Sequence, residues 1–120
     1  MSEYKKSKHY DLEERTYRFA KSVRDFVRTI PKDIANIEDI KQLVRASGSV
    51  GANYIEANEA LSKKDFVMRI KISRKEAKES RYWLRLLHIV DDAAIHQCSL
   101  LATESTELMN IFGAILRKSE

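Results

Sequence analysis

The sequence is poor in the residues that bend, break or cross-link a chain. Its 120 residues include three glycines, one proline and one cysteine. So few glycines and prolines exclude a β-sandwich with its many tight turns, a glycine-rich nucleotide-binding loop and a disordered linker. A single cysteine can form neither an internal disulfide nor a cysteine-based metal cage, so the chain does not require an oxidising compartment.

Long apolar runs are absent as well. No stretch approaches the roughly 18 uninterrupted apolar residues that a transmembrane helix needs. The N-terminal lysines are followed by no apolar segment, unlike those of a signal peptide. We therefore expect a cytoplasmic protein with no membrane partner. Its length, with 43% hydrophobic and 33% charged residues, suits one helix-rich domain with a core of its own.

Positive charge is concentrated in one part of the chain. The whole sequence has 22 basic and 18 acidic residues, a net charge of +4. Residues 63–85 hold nine lysines and arginines against three acidic residues, whereas residues 86–120 hold two basic and five acidic residues. A local excess of positive charge is typical of surfaces that bind polyanions.

Apolar residues recur at alternating spacings of three and four, the pattern of helices packed lengthwise on their neighbours. Pro31 ends the first helix, and Asn36 is the predicted N-cap of the second. The pattern predicts a flexible basic tail over residues 1–10, followed by helices over about residues 11–30, 38–61, 63–90 and 95–118. Helices of this length joined by short loops predict an all-α, antiparallel up-down-up-down four-helix bundle that occupies residues 11–120 as one domain.

The second predicted helix contains a run of small residues. Glycine inside a helix costs about 1 kcal/mol relative to alanine, so its two glycines call for a compensating interaction. Small residues four positions apart, Ser47 with Gly51 and Gly48 with Ala52, allow a neighbouring helix to approach closely. The alternative is a kink at the glycines; we favour the close packing.

Two apolar stripes run along the third predicted helix, although one is enough for a bundle core. The second stripe encloses two acidic residues, Glu76 and Glu79. Its apolar members are Met68, Ile72, Trp83, Leu86 and Val90. Either the stripe packs on a second helix of the same chain, or it is a subunit interface anchored by its tryptophan, a residue type enriched at binding hot spots. The candidate interface residues are Met68, Ile72, Trp83 and Leu86.

The third helix also carries a row of positive charge. Five cations fall within an arc of about 80° on one face, with no acids at helical spacing along that face. We name them the basic row: Lys71, Arg74, Lys78, Arg81 and Arg85. Such a row can follow a phosphate backbone, and Tyr82 and Tyr4 are candidates to stack on bases. The alternative is a solvated helix face without a ligand.

Residue sets that carry catalysis or hold metals are scarce. A ferritin-like di-iron bundle needs two Glu-x-x-His pairs, and the sequence has none. Asp92 and His96 make an incomplete metal site, and Cys98 lies on the apolar seam of the fourth helix as a small core residue. We therefore expect no enzyme activity, no metal site and no cofactor.

Three segments, residues 43–57, 62–66 and 71–84, are distinctive. They resemble the bacterial four-helix-bundle proteins encoded within intervening sequences of 23S ribosomal RNA genes, and the resemblance covers roughly residues 11–118. Its most specific part is the run Arg45-Ala46-Ser47-Gly48-Ser49-Val50-Gly51-Ala52-Asn53. Members of that family often continue with Ile-Ala-Glu-Gly, whereas this chain has Tyr54-Ile55-Glu56-Ala57.

The resemblance implies an antiparallel bundle that assembles into a ring-like homopentamer. A similar protein, the accessory variability determinant of diversity-generating retroelements, is a basic pentamer that binds nucleic acid and a reverse transcriptase. The implied partners are thus further copies of the chain, RNA or DNA, and a reverse transcriptase or a ribosomal component. Two hypotheses follow. One is a non-enzymatic oligomer that binds structured RNA or RNA–protein complexes through the basic row; the other is a protein-interaction scaffold with no nucleic-acid role.

Overall fold

Four helices account for nearly all of the computed structural model, which describes the backbone of residues 2–120 and the side chains of residues 12–120. The helices are α1 (Ser2–Val27), α2 (Ile34–Asn58), α3 (Lys63–Leu86) and α4 (Asp92–Lys118). No strand occurs between residues 2 and 120. The predicted all-α class is confirmed.

Helices that follow one another in the chain pack side by side. α2 packs against α1 and α3, α3 packs against α4, and α4 closes the bundle on α1 with the sparsest contact of the four pairs. This arrangement confirms the predicted up-down-up-down bundle, which measures 45 by 28 by 19 Å. Each helix in the described part of the chain is too polar to cross a bilayer.

The core lies along the predicted apolar seams. Val23 of α1 and Ile70 of α3 are completely buried, as are Leu108 and Phe112 of α4. Phe112 packs against Tyr54 of α2 with ring centroids 5.8 Å apart. Burying a large apolar side chain contributes about 1.5–3 kcal/mol, so packing along these seams holds the helices in register.

Two helices begin earlier than predicted because an aspartate ahead of the predicted start caps each of them. Asp33, not Asn36, is the N-cap of α2, and its side chain accepts a hydrogen bond from the Asn36 backbone N–H at 2.8 Å. Asp91 caps α4 in the same way, by accepting from the Ala94 N–H at 3.0 Å. Both helices therefore begin three or four residues before their predicted starts.

The other helix boundaries shift as well. α1 ends at Val27 and α3 at Leu86, short of the predicted ends at residues 30 and 90, and α2 ends at Asn58 instead of residue 61. α1 begins at Ser2, ahead of the predicted residue 11. The flexibility predicted for residues 1–10 stays a prediction, and the side chains of this segment, Tyr4 included, lie outside the described ones.

α2 runs without a break through its glycines, and α1 approaches it closely at Gly51. A Cβ atom built on Gly51 would lie 2.8 Å from Thr16 Oγ1 and 3.1 Å from Thr16 Cβ, too close for an ordinary contact. Ser47, one turn away, is also fully buried. A Cβ atom built on Gly48 would lie 3.2 Å from Nη2 at the end of the Arg24 side chain. Ala52 is exposed, so its inclusion in the close packing was wrong: it lies on the solvent side of α2.

Replacing Gly51 with alanine should lower the free energy of unfolding by about 1–2 kcal/mol, because overpacking against Thr16 outweighs the gain in helix propensity. Gly113 of α4 provides the matched control. A Cβ there would meet Arg117 and Arg74 side-chain nitrogens at 3.5 and 3.7 Å, which are ordinary contacts, so Gly113→Ala should raise stability by up to about 1 kcal/mol. Urea denaturation measures both, and a Gly51→Ala variant as stable as the parent would contradict the close approach.

Candidate nucleic-acid interface

The basic row lies along the outer side of α3, at the edge that faces α4. Four of its members are exposed, and Arg81 is half-buried because its guanidinium reaches α4 and donates a hydrogen bond to Thr106 Oγ1 at 3.1 Å. From Lys71 to Arg85 the row extends about 21 Å at 1.5 Å per residue. The periodicity of the sequence thus places all five cations on one accessible edge of the bundle.

The charges of the basic row are uncompensated within the described chain. None of its five cations forms an ion pair with a described carboxylate. Among the described residues, Arg81 has only the neutral hydroxyl of Thr106 as a hydrogen-bond partner. Cations placed close together on a helix repel one another, so the row creates a positive potential that a polyanion would neutralise.

Several arginines elsewhere in the bundle are ion-paired. Arg15 of α1 forms ion pairs with Glu104 at 2.7 Å and Glu107 at 3.2 Å on α4, and its hydrogen bond to Glu104 raises the pKa of the guanidinium. The acidic residues of α4 nearest the middle of the bundle therefore point to α1. They leave the α3 side of α4 without a described carboxylate partner for the basic row.

The acidic residues of α3 are also engaged away from the row. Arg45 of α2 forms ion pairs with Glu76 at 3.3 Å and Glu79 at 3.0 Å, and the hydrogen bond to Glu76 raises the pKa of Arg45. α3 thus presents negative charge to α2 and positive charge to α4. Helical spacing does not indicate this pairing, because Arg45 lies 31 positions before Glu76 in the chain.

A groove between α3 and α4 runs beside the basic row. It has a volume of about 380 Å³. Its cationic side chains come from α3 and its apolar ones from α4: Lys71, Arg74, Lys75, Lys78, Met109 and Leu116. Lys75 was not among the predicted residues, although its four-residue spacing from Lys71 is a signal for it. The groove combines positive side chains with an apolar floor.

The second apolar stripe of α3 is divided between the chain's own packing and solvent. Trp83 and Ile72 are half-buried, and Trp83 packs against the core. Its Nε1 is buried and has no hydrogen-bond partner among the described atoms. Met68 and Leu86 are 47% and 49% exposed. Trp83 thus contributes to the packing of its own chain, while Met68 and Leu86 present apolar surface near opposite ends of α3. The subunit interface over these four residues stays a prediction.

Comparison with known proteins places the chain in a family. The family model of the 23S rRNA-intervening sequence proteins matches residues 8–114. The chain belongs to this family. It is also similar, at 27% identity and a TM-score of 0.73, to the crystal structure of a protein of unknown function from the S23 ribosomal protein family of Bacteroides thetaiotaomicron, with 87% of this chain and 96% of that one covered. No curated protein matches significantly.

The family resemblance seen in the sequence is thus confirmed for this 23S rRNA-intervening sequence protein. In the part of the chain that the structure describes, no three His, Cys, Asp or Glu side chains are grouped as metal ligands would be. Asp92 and His96 are both exposed. Cys98 donates a hydrogen bond to the Leu84 carbonyl at 3.3 Å, and burial raises the pKa of its thiol, which favours the unreactive protonated form.

Proposed function

We propose that this protein is a non-enzymatic homo-oligomer that binds nucleic acid through the basic row, with structured RNA or an RNA–protein complex as its ligand. One observation supports the proposal above all others: five cations share an exposed edge, and none is ion-paired within the described residues. Lysines and arginines that contact phosphates release the counterions condensed on the nucleic acid, which drives binding.

We also propose that the chain assembles into a ring of five copies, as the family resemblance implies. The half-exposed side chains of Met68 and Leu86 provide apolar surface that a neighbouring copy would cover. In a ring, each copy adds its basic row to a common field, so affinity for a long polyanion exceeds that of one copy.

The dependence of RNA affinity on salt tests the proposed binding. Five phosphate contacts should weaken binding about 100- to 500-fold between 50 and 200 mM salt, since each contact contributes to the salt slope. Fluorescence anisotropy with a labelled structured RNA measures the affinity at both concentrations. No binding at the lower concentration, or an affinity that does not change with salt, would contradict the proposal.

A second candidate function is a protein-interaction scaffold without a nucleic-acid role, which the exposed Met68 and Leu86 favour. Its partner would be a reverse transcriptase or a ribosomal component, held by the surface that the assembled ring leaves exposed. Light scattering and RNA binding distinguish the two functions. A particle of five 13.9 kDa chains that binds no RNA at low salt would support the scaffold.

A further inference from the structure

We propose that the groove beside the basic row binds an unpaired strand of nucleic acid, with Tyr82 as the platform on which a base stacks. This inference rests on the proposed function and adds which part of the RNA the site contacts: an unpaired segment, such as a loop of a structured RNA, and not a duplex. It depends on three features of α3 and α4: an exposed tyrosine among the cations, an apolar groove floor, and the straight course of the basic row.

Tyr82 lies on the outer face of α3 among the cations. At 100° per residue it falls within about 40° of Lys78 and about 60° of Arg85 around the helix. Its side chain is 55% exposed. The ring meets the Trp83 ring edge-on, with centroids 5.0 Å apart and planes at 77°, a contact that restrains Tyr82 and leaves much of its surface free. Exposed aromatic rings beside cations are the typical platforms for unstacked bases.

The apolar floor of the groove also favours an unpaired strand. Met109 and Leu116 of α4 provide an apolar surface directly beside Lys71, Arg74 and Lys78. A single strand can place its phosphates on the cations and its bases on the apolar side chains. A duplex turns its bases inward and offers mainly phosphates and sugars to a protein surface, so it would leave both the floor and Tyr82 without a ligand group.

The straight course of the basic row also favours an unpaired strand over a duplex. The row is straight along α3 for about 21 Å. The phosphates of a duplex wind around its axis, so each strand crosses a straight row and then turns away from it. An unpaired strand is flexible enough to follow the row along its whole length, as in other grooves that track single strands over roughly 4–16 nucleotides.

The affinities of the intact protein for an oligouridylate of about 12 nucleotides and for an RNA duplex of about 12 base pairs test the inference. At about 100 mM salt, we expect the single strand to bind about tenfold more tightly. A surface that acted through charge alone would give the opposite order, because the duplex carries twice as many phosphates at a higher density.

Substitutions of tyrosine separate stacking from charge. Tyr82→Ala should weaken binding of the single strand at least about fivefold and leave the duplex affinity unchanged, whereas Tyr82→Phe should retain the affinity because the ring is kept. Tyr17 of α1 is 57% exposed, so Tyr17→Ala is the matched control and should bind like the parent.

The possible outcomes distinguish this inference from the function on which it rests. If the duplex binds as tightly as the strand, or if Tyr82→Ala binds the strand like the parent, the unpaired-strand inference is overturned while salt-dependent RNA binding stands. If neither RNA binds at about 50 mM salt, the proposed function fails together with it. If the parent protein prefers the single strand and Tyr82→Ala removes this preference, the result supports both the unpaired-strand inference and the proposed function.

Discussion

Reversing two charges of the basic row, Arg74→Glu together with Arg81→Glu, should lower RNA affinity about 100-fold at low salt and reduce the salt slope by about two. Each substitution removes a phosphate contact and adds a carboxylate that repels the ligand. Neither arginine forms an ion pair with a described carboxylate, and Arg81 makes one hydrogen bond to Thr106. The bundle should therefore remain folded, which circular dichroism checks.

Two arginines provide the matched control: Arg18 of α1 and Arg28, which directly follows the last residue of α1. Both are highly exposed and form local ion pairs, Arg18 with Glu14 at 3.2 Å and Arg28 with Asp25 at 2.9 Å. Arg18→Glu with Arg28→Glu changes the net charge by the same amount, and we expect it to weaken RNA binding less than about fivefold. An equal loss in both double variants would mean that net charge, and not the basic row, determines affinity.

Replacing Asn36 with alanine should lower the free energy of unfolding by about 2–4 kcal/mol. The Asn36 side chain is fully buried. Its Nδ2 donates to the carbonyls of Pro31 and His88, and its Oδ1 accepts from the His88 N–H, each at 2.9 Å. Each hydrogen bond contributes about 1 kcal/mol, and buried backbone groups left without a partner cost more. Asn36 thus joins the loop before α2 to the loop after α3.

Asn110 of α4 is the control for the Asn36 substitution. It is exposed, so Asn110→Ala should change stability by no more than about 0.5 kcal/mol, in the stabilising direction given by helix propensity. Thermal or urea unfolding of both variants gives the comparison. Equal stability of the Asn36→Ala variant and the parent would show that the buried hydrogen bonds do not hold the two loops together.

The helices were predictable because apolar residues recur every three or four positions along each of them. Phe19, Val23 and Ile70 follow this pattern, and all three lie in the core. The loops were less predictable because their partners are distant in sequence. Asparagine is a common N-cap residue, yet the Asn36 side chain donates a hydrogen bond to the carbonyl of His88, 52 positions away. Local pattern identifies which residues can cap a helix, while tertiary contacts decide which of them does.

In the candidate site, too, local sequence pattern predicts some features and tertiary contacts decide the others. Helical periodicity alone placed the basic row on one edge of α3. Whether its charges are neutralised depends on which helices the acidic residues face, and these contacts are set by the packing of the whole bundle. Glu104 turns to Arg15 and Glu76 turns to Arg45, neither of which follows from spacing. The difference in burial between Trp83 and Leu86 likewise depends on the packing of the whole bundle.

Ultraviolet cross-linking of bound RNA, followed by mass spectrometry of the linked peptides, tests most directly whether the basic row is the contact surface. We expect linked peptides from residues 71–85 of α3 and from residues 109–117 of α4, and their loss in the Arg74→Glu, Arg81→Glu variant. Cross-links confined to α1 and α2, from a protein that binds RNA, would contradict the assignment of the interface to α3.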